Sequence, residues 1–329
     1  MAFGVQSEIR KELLDAFTNA GETYLSGQQL AELIGCTRTA VWKHVEELRK
    51  EGFQLEAVKR KGYRILKTPE KVTADEIRFG LKTKFIGRNI HYEETVESTQ
   101  KIAHLLAYQD VPEGTAILAD EQLSGRGRMD RKWHSPKYTG IWMSLILRPN
   151  IPLNNAPQLT LLTAVAVVQA IEECTKLIPE IKWPNDILIN GKKVTGILTE
   201  LQAEADRIHA IIIGIGLNVN QKKGDFPIEL QDKASSLFIE HGESIQRAEL
   251  IRSIFMQMEK LYLLYLEVGF FPIKLLWESY AVSIGQQLKA RTLSNTIEGK
   301  ALGITDEGVL KLEDAAGVVH HIYSADIEL

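Results

Sequence analysis

At 329 residues the chain is longer than the roughly 250–300 residues at which a single core stops growing, so at least two domains are expected. Its 44% hydrophobic and 25% charged residues exclude a disordered or membrane class, and neither Met1–Gln6 nor the longest apolar run, Ile211–Val219, reads as a targeting or spanning segment. Cys36 and Cys174, with no Cys or His at metal-ligand spacing, argue against a disulfide framework or a zinc site and fit a reducing cytoplasm.

The net charge of −4 is unevenly spread: residues 37–66 carry eight basic side chains against four acidic ones. Ile9, Leu13, Leu14 and Phe17 recur at helical spacing and predict a helix over 7–19. Ser26-Gly-Gln-Gln29 has the capping-box order and opens a second helix, with Leu30, Leu33 and Ile34 as its inner face. Gly35 permits a sharp turn, Thr37 can cap a third helix, and Val41, Val45 and Leu48 give that helix its apolar side. Arg38, Thr39, Trp42 and Lys43 then fall on its outer face, as in a recognition helix; Trp42 fits a core role equally well. Residues 53–66 predict two short strands around Lys59-Arg60-Lys61-Gly62, a basic wing able to pair with phosphates, or else a solvated turn. Together, residues 1–66 predict a winged helix-turn-helix. Lys67-Thr-Pro69-Glu-Lys71 breaks the pattern and opens a linker over 67–75.

From Ile90 strand-like and helix-like segments alternate, and Asn190-Gly191 between two apolar runs predicts a hairpin, so the sheet is mixed rather than doubly wound. No phosphate-binding glycine motif of the Walker or dinucleotide type is present. Gln122-Leu-Ser-Gly125-Arg126-Gly127-Arg128-Met129-Asp130-Arg131-Lys132-Trp133 supplies another cradle: glycines that let backbone approach an anion, and arginine forks that match phosphate oxygens. A nucleic-acid contact or a basic surface turn fits this loop too. Lys182-Trp183-Pro184-Asn185-Asp186, followed by Lys193 beyond the hairpin, reads either as a locally ordered turn or as part of a site. After residue 280 only short strands with glycine turns at Gly299, Gly308 and Gly317 are legible.

Lys-Trp-Pro-Asn-Asp preceded by Gly-Arg-Gly-Arg resembles the biotin protein ligases, and the resemblance extends to Glu97-Ser98-Thr99, to Gly214-Ile-Gly216-Leu-Asn218 and to the winged helix, covering essentially the whole chain. It implies an α+β architecture: the winged helix-turn-helix at 1–66, a ligase domain of mixed sheet and helices at 76–280, and a small SH3-like β domain at 281–329. The implied activity is formation of a biotinyl adenylate from ATP, with Mg2+ expected, and transfer to a lysine of a biotin carrier protein. No enzyme nucleophile is needed for this chemistry. The resemblance makes Arg126, Arg128, Lys193, Lys182 and Asp186 the catalytic group. It places Ser98, Thr99, Gln100, Gln122, Gly125, Gly127, Gly196, Gly214 and Asn218 around biotin and its adenylate, with Gly216 easing close approach. Ser98 and Thr99 serve equally as a helix N-cap, and the glycines as ordinary strand residues. Met129-Asp130 departs from the basic or glycine pair of many relatives. The resemblance further implies a ligand-promoted homodimer that binds operator DNA through two winged helices, and no membrane partner. A biotin sensor without turnover, a lipoate ligase and a ligase with an idle winged helix are the alternatives.

Overall fold

The computed structural model describes residues 2–328, except 51, 68–71, 205–206 and 293–294, and the chain divides into two compact units, Met1–Lys82 and Thr83–Leu329. Of the predicted linker over 67–75, residues 68–71 lie outside the described residues, while Lys67 ends a strand and Thr73, Ala74 and Asp75 open a helix.

In the first unit α1 (Ala2–Ala20), α2 (Gly27–Ile34) and α3 (Arg38–Lys50) are followed by the antiparallel pair β1 (Gln54–Val58) and β2 (Gly62–Lys67) and by α4 (Ala74–Arg78). The capping box forms as expected: Ser26 Oγ accepts from the Gln29 N–H at 3.1 Å, and Gln29 Oε1 accepts from the Ser26 N–H at 2.9 Å. Gly35 ends α2 in the left-handed region, and Thr37 Oγ1 accepts from the Ala40 N–H at 3.2 Å. Leu13, Leu14, Phe17, Leu30, Ile34, Val41, Val45 and Leu48 close one core, each large side chain contributing about 1.5–3 kcal/mol of burial. Leu33, expected inside, is 66% exposed and Ala31 is buried instead. At 100° per residue Ala31 and Ile34 lie on the same side of Leu30, and Leu33 lies on the other, so the buried arc turns away from it. Gly62 is required at the wing: a Cβ there would stand 2.1 Å from the Leu25 carbonyl oxygen, to which the Tyr63 N–H donates at 2.8 Å. Thr73 caps α4, and Arg10 on α1 pairs with Asp75 at 2.5 Å, which fastens α4 to this unit.

The second unit is built on β3 (Ile90–Val96), α5 (Thr99–Tyr108), β4 (Ala116–Gln122), β5 (Gly140–Leu147), α6 (Ala156–Thr175), β6 (Glu180–Lys182), β7 (Asp186–Ile189), β8 (Lys192–Glu204) and β9 (Arg207–Asn218). Among the described residues these strands form one seven-stranded sheet, ordered β3-β4-β5-β9-β8-β7-β6. Only β3 and β4, joined through α5, run parallel; every other pair is antiparallel, as the Asn190-Gly191 turn requires with both residues at positive φ. β5 is buried at every residue, so both sheet faces are covered.

Helices α7 (Leu237–His241), α8 (Arg247–Val268) and α9 (Phe271–Tyr280) follow, in a stretch whose helices the sequence reading does not announce. α6 is apolar round most of its circumference because it lies between the sheet and α8 and α9. Arg247, at the start of α8, forms a buried ion pair with Asp120 of β4 at 2.9 Å and also donates to the Gly140 carbonyl, pinning the helix to the sheet.

The chain ends in β10 (Gln287–Arg291), β11 (Thr296–Ile304), β12 (Leu310–Glu313), β13 (Val319–Ile322) and β14 (Asp326–Glu328), an antiparallel sheet ordered β13-β12-β11-β10-β14. Gly299, expected in a turn, lies inside β11, where a Cβ would meet the Glu313 carbonyl oxygen at 2.3 Å; close strand approach, not turning, demands glycine there. Gly308 and Gly317 do sit in turns at positive φ. This sheet is tied to the larger one by Trp183 Nε1 donating to the Gly308 carbonyl at 3.3 Å and by the Val282 N–H donating to Ile181 at 3.1 Å.

Candidate active site

A cavity of about 440 Å³ opens where β4, β5, β8 and β9 meet the 122–135 loop. It gathers Ser98, Thr99, Gln100, Gln122, Arg126, Gly127, Arg128, Asp186, Lys193, Gly196, Gly214 and Asn218 from the expected set. Gly125 and Lys182 do not line it. Gly125 is packed behind the loop, where a Cβ would meet the Trp133 carbonyl at 2.6 Å. Lys182 stands across from Asp186 in the β6–β7 pair.

One end of the cavity is neutral and buried. Gln122 Oε1 accepts the Thr99 N–H at 2.9 Å, Thr99 Oγ1 lies 2.9 Å from Ser144 Oγ, and Ser144 donates to Gln100 Oε1 at 2.8 Å. A hydroxyl has one proton: with Ser144 donating to Gln100, the Thr99 proton is shared between Ser144 Oγ at 2.9 Å and Gln122 Oε1 at 3.2 Å. Gln100 Nε2 in turn donates to the Ile212 carbonyl at 3.2 Å, and Gln122 Nε2 donates to Ser135 Oγ at 3.0 Å. Ser98 takes the N-cap position of α5 without a side-chain capping bond. Motif reasoning misses Ser144; its signal is the single hydroxyl inside the otherwise apolar run Ile141-Trp-Met-Ser-Leu-Ile-Leu147.

The other end is cationic. Arg128 donates to Asn185 Oδ1 at 3.2 Å and to Ser324 Oγ at 2.7 Å. Burial pushes its guanidinium below the ordinary arginine value, which leaves it charged at neutral pH. Lys193 Nζ pairs with Asp186 at 2.6 Å and lies 5.3 Å from the centre of the Trp133 ring. Arg131 grips both carboxylate oxygens of Asp326, and those bonds hold the Asp326 carboxyl below its usual range. Arg126 lines the cavity with no side-chain partner among the described residues.

Trp133 divides the two ends. Cβ atoms at Gly216 and Gly196 would stand 2.4 Å and 2.8 Å from its indole, and one at Gly214 would stand 2.8 Å from Gln100 Oε1. The space these glycines leave is therefore held by an indole and a carboxamide. Asn218 has both ends of its amide engaged, donating to the Ser235 carbonyl at 3.0 Å and accepting from Gln221 at 3.2 Å. It anchors the 221–236 loop, from which Phe226, Leu230 and Lys233 reach the cavity wall. The Trp183–Pro184 peptide bond is cis.

The arrangement suits a molecule with a neutral, polar head and a polyanionic tail. No thiol serves it: burial pushes the Cys174 thiol, on α6, up to about 11. The DNA-contact candidates lie in the first unit. Arg38, Thr39, Trp42 and Lys43 are all exposed on α3, Trp42 at 56%, which removes it from the core; Lys59, Arg60 and Lys61 are exposed at the β1–β2 turn.

Residues 92–218 match the biotin/lipoate A/B protein ligase family, residues 10–64 an HTH domain, and residues 283–329 the biotin protein ligase C terminal domain. The bifunctional ligase/repressors BirA of Bacillus subtilis and Bacillus spizizenii are each 59% identical over 325 residues, 99% of this chain and 100% of theirs. The biotin protein ligase from Aquifex aeolicus, solved in complex with biotin and ATP, is 32% identical and superposes with a TM-score of 0.63 over 73% of this chain and 97% of that one. No helix of the described residues is long and apolar enough to cross a membrane. Matched end to end by those relatives, the chain belongs to the biotin protein ligases, in their bifunctional ligase/repressor form.

Proposed function

We propose that the cavity activates biotin with ATP, releasing pyrophosphate to form biotinyl-AMP, and then passes the biotinyl group to a lysine of a biotin carrier protein in the cytoplasm. The observation that carries this is the continuity of a neutral hydrogen-bonding end with a cationic end in one cavity of about 440 Å³. Thr99, Gln100, Gln122 and Ser144 match the ureido head, exchanging bonds among themselves for bonds to it. Arg126, Arg128 and Lys193 face the carboxylate and the phosphates, where they offset the charge that builds as the acyl–phosphate bond forms. Asp186 orients Lys193, Lys182 supports the Asp186 strand, and Gly125 and Gly127 let the loop close on the phosphates. Among the described residues no cluster of three metal-ligating side chains exists. A Mg2+ ion carried on ATP needs only one or two carboxylates, and Asp186 would hold it; it would supply neutralisation of phosphate charge.

The winged helix, taken as 1–66 with a linker to about 75, binds operator DNA through α3 and the wing, and a homodimer formed on adenylate binding presents two of them. The 76–280 and 281–329 segments form the ligase body. The test is biotin-dependent pyrophosphate release, with lipoate as control and an apo carrier domain as acceptor. Turnover with biotin and labelling of the carrier are expected, and Lys193→Ala should lower the rate by about 100-fold or more. Tight biotin binding with no turnover in the unaltered chain would overturn the ligase reading. For the DNA side, Arg60→Ala or Lys61→Ala should weaken binding to all sequences alike and lower the log–log salt slope by about 1 for each phosphate left without its cation.

A further inference from the structure

The tip of the cationic loop is held by little of its own. At its base the Gly127 N–H donates to Arg131 at 2.7 Å and the Trp133 N–H donates to Gly125 at 2.9 Å, which together close the bridge between residues 126 and 132; across the tip, among the described residues, only the Arg131 N–H donates, to Arg128 at 3.3 Å. Met129 and Asp130, at φ 54° and 55°, occupy the left-handed region that costs a side-chain-bearing residue free energy. Something outside the loop must over-determine it. Both outer arginines are met at the start of β14: Ser324, just before it, accepts from Arg128, and Asp326, its first residue, accepts from the two terminal Arg131 nitrogens. The segment is built for this. Ala325, just before β14, and Ile327 within it are buried, while Ser324 and Asp326, which alternate with them, stay accessible to the loop.

We infer that Asp326, assisted by Ser324, is a positioning residue for the adenylation step. It fixes Arg131 and Arg128 in the orientation that receives the triphosphate, so the C-terminal sheet sets the geometry of the phosphate end. This rests on the ligase reading above. Because Arg131 and Asp326 are 64% and 42% exposed, the effect is moderate and confined to the nucleotide.

In the full chain, Asp326→Ala should raise the KM for ATP in biotin-dependent pyrophosphate release by about fivefold. Biotin affinity measured without ATP should stay within about twofold, and Asp326→Glu should restore most of the loss, because it keeps the carboxylate. Ser324→Ala, which removes a hydroxyl from an exposed turn, should raise the same KM by about twofold. The inference is overturned if the ATP KM is unchanged or falls in Asp326→Ala, since a fall makes Asp326 a competitor for the phosphate site. It is equally overturned if biotin affinity drops in parallel, or if Asp326→Ala does not fold and Ser324→Ala leaves the KM unmoved. Absence of turnover in the unaltered chain strikes the ligase reading instead, so the two failures are distinguishable.

Discussion

The two ends of the cavity are held in opposite ways. At the neutral end four side chains satisfy one another: Gln122, Thr99, Ser144 and Gln100 form an unbroken chain of hydrogen bonds, anchored to backbone at both ends and almost wholly shielded from water. At the charged end, Arg126 apart, the arginines and Lys193 lean on partners from other segments: Lys193 on Asp186, Arg128 on Asn185 and Ser324, Arg131 on Asp326. A buried neutral network is rigid because any gap in it leaves a desolvated polar atom. A half-exposed cationic loop held by partners from separate segments is adjustable, since exposed ion pairs hold their geometry by only a small net free energy. The neutral end is suited to selecting a substrate, and the charged end to following the charge that moves during reaction.

This contrast predicts a division of phenotypes. The largest effect belongs to the charged end: Arg128→Ala should lower pyrophosphate release by about 100-fold, while biotin affinity without ATP and the unfolding midpoint hardly move. Arg128→Lys should recover little, because a lysine ammonium is a point charge and cannot reach Asn185 and Ser324 as a planar fork does. If biotin binding fell as far as turnover, the two ends would not be separable.

The neutral end should show the reverse balance. Ser144→Ala removes the donor to Gln100 Oε1 and the acceptor for Thr99 in one step. Thr99 can turn its hydroxyl to Gln122 Oε1, but leaving the buried Gln100 Oε1 unpaired should cost about 1–3 kcal/mol of folding stability, read by denaturant unfolding, together with a loss of biotin affinity and little change in the ATP KM at saturating biotin. An unchanged midpoint would mean that water replaces the hydroxyl and that the chain is less closed than its distances indicate.

The same contrast explains what the sequence discloses. Local physics writes local signals: Ser26 with Gln29, Gly35 and the Asn190-Gly191 turn each declare a conformation within a few residues and adopt it, and the clustered loop arginines line the cavity. Ser144 is legible only as a hydroxyl in an apolar strand. Asp326 carries no signal at all, because its partner lies 195 residues away and nothing in Ala-Asp-Ile points to an arginine. Leu33 is misread by spacing because Leu30 and Leu33 are neighbours on a helix, while the direction of the buried arc is set by α1 and α3 packing against α2. Gly299 reads as a turn residue because glycine marks both turning and close approach, and only the register with β12 separates them.

The smallest effect lies at the boundary between the two ends. In Gly216→Ala the new Cβ would meet Trp133 Nε1 at 2.4 Å, too close for either to stay. Backbone cannot yield there, because Gly216 is paired on both sides, with Trp142 of β5 and Gly196 of β8. The indole can, because it borders the cavity and its N–H has no hydrogen-bond partner to lose among the described residues. Overpacking a closed core typically costs about 1–3 kcal/mol; an outlet into open space should hold this case to about 1 kcal/mol or less. The displaced ring would instead intrude on the space between the neutral and charged ends and lift away from Lys193. Both substrates should then bind more weakly with little loss of stability, and Trp133→Phe in the same background should recover part of the binding. A large drop in unfolding midpoint would show that Trp133 is a fixed wall and that the cavity is two rigid compartments, not a rigid one joined to an adjustable one.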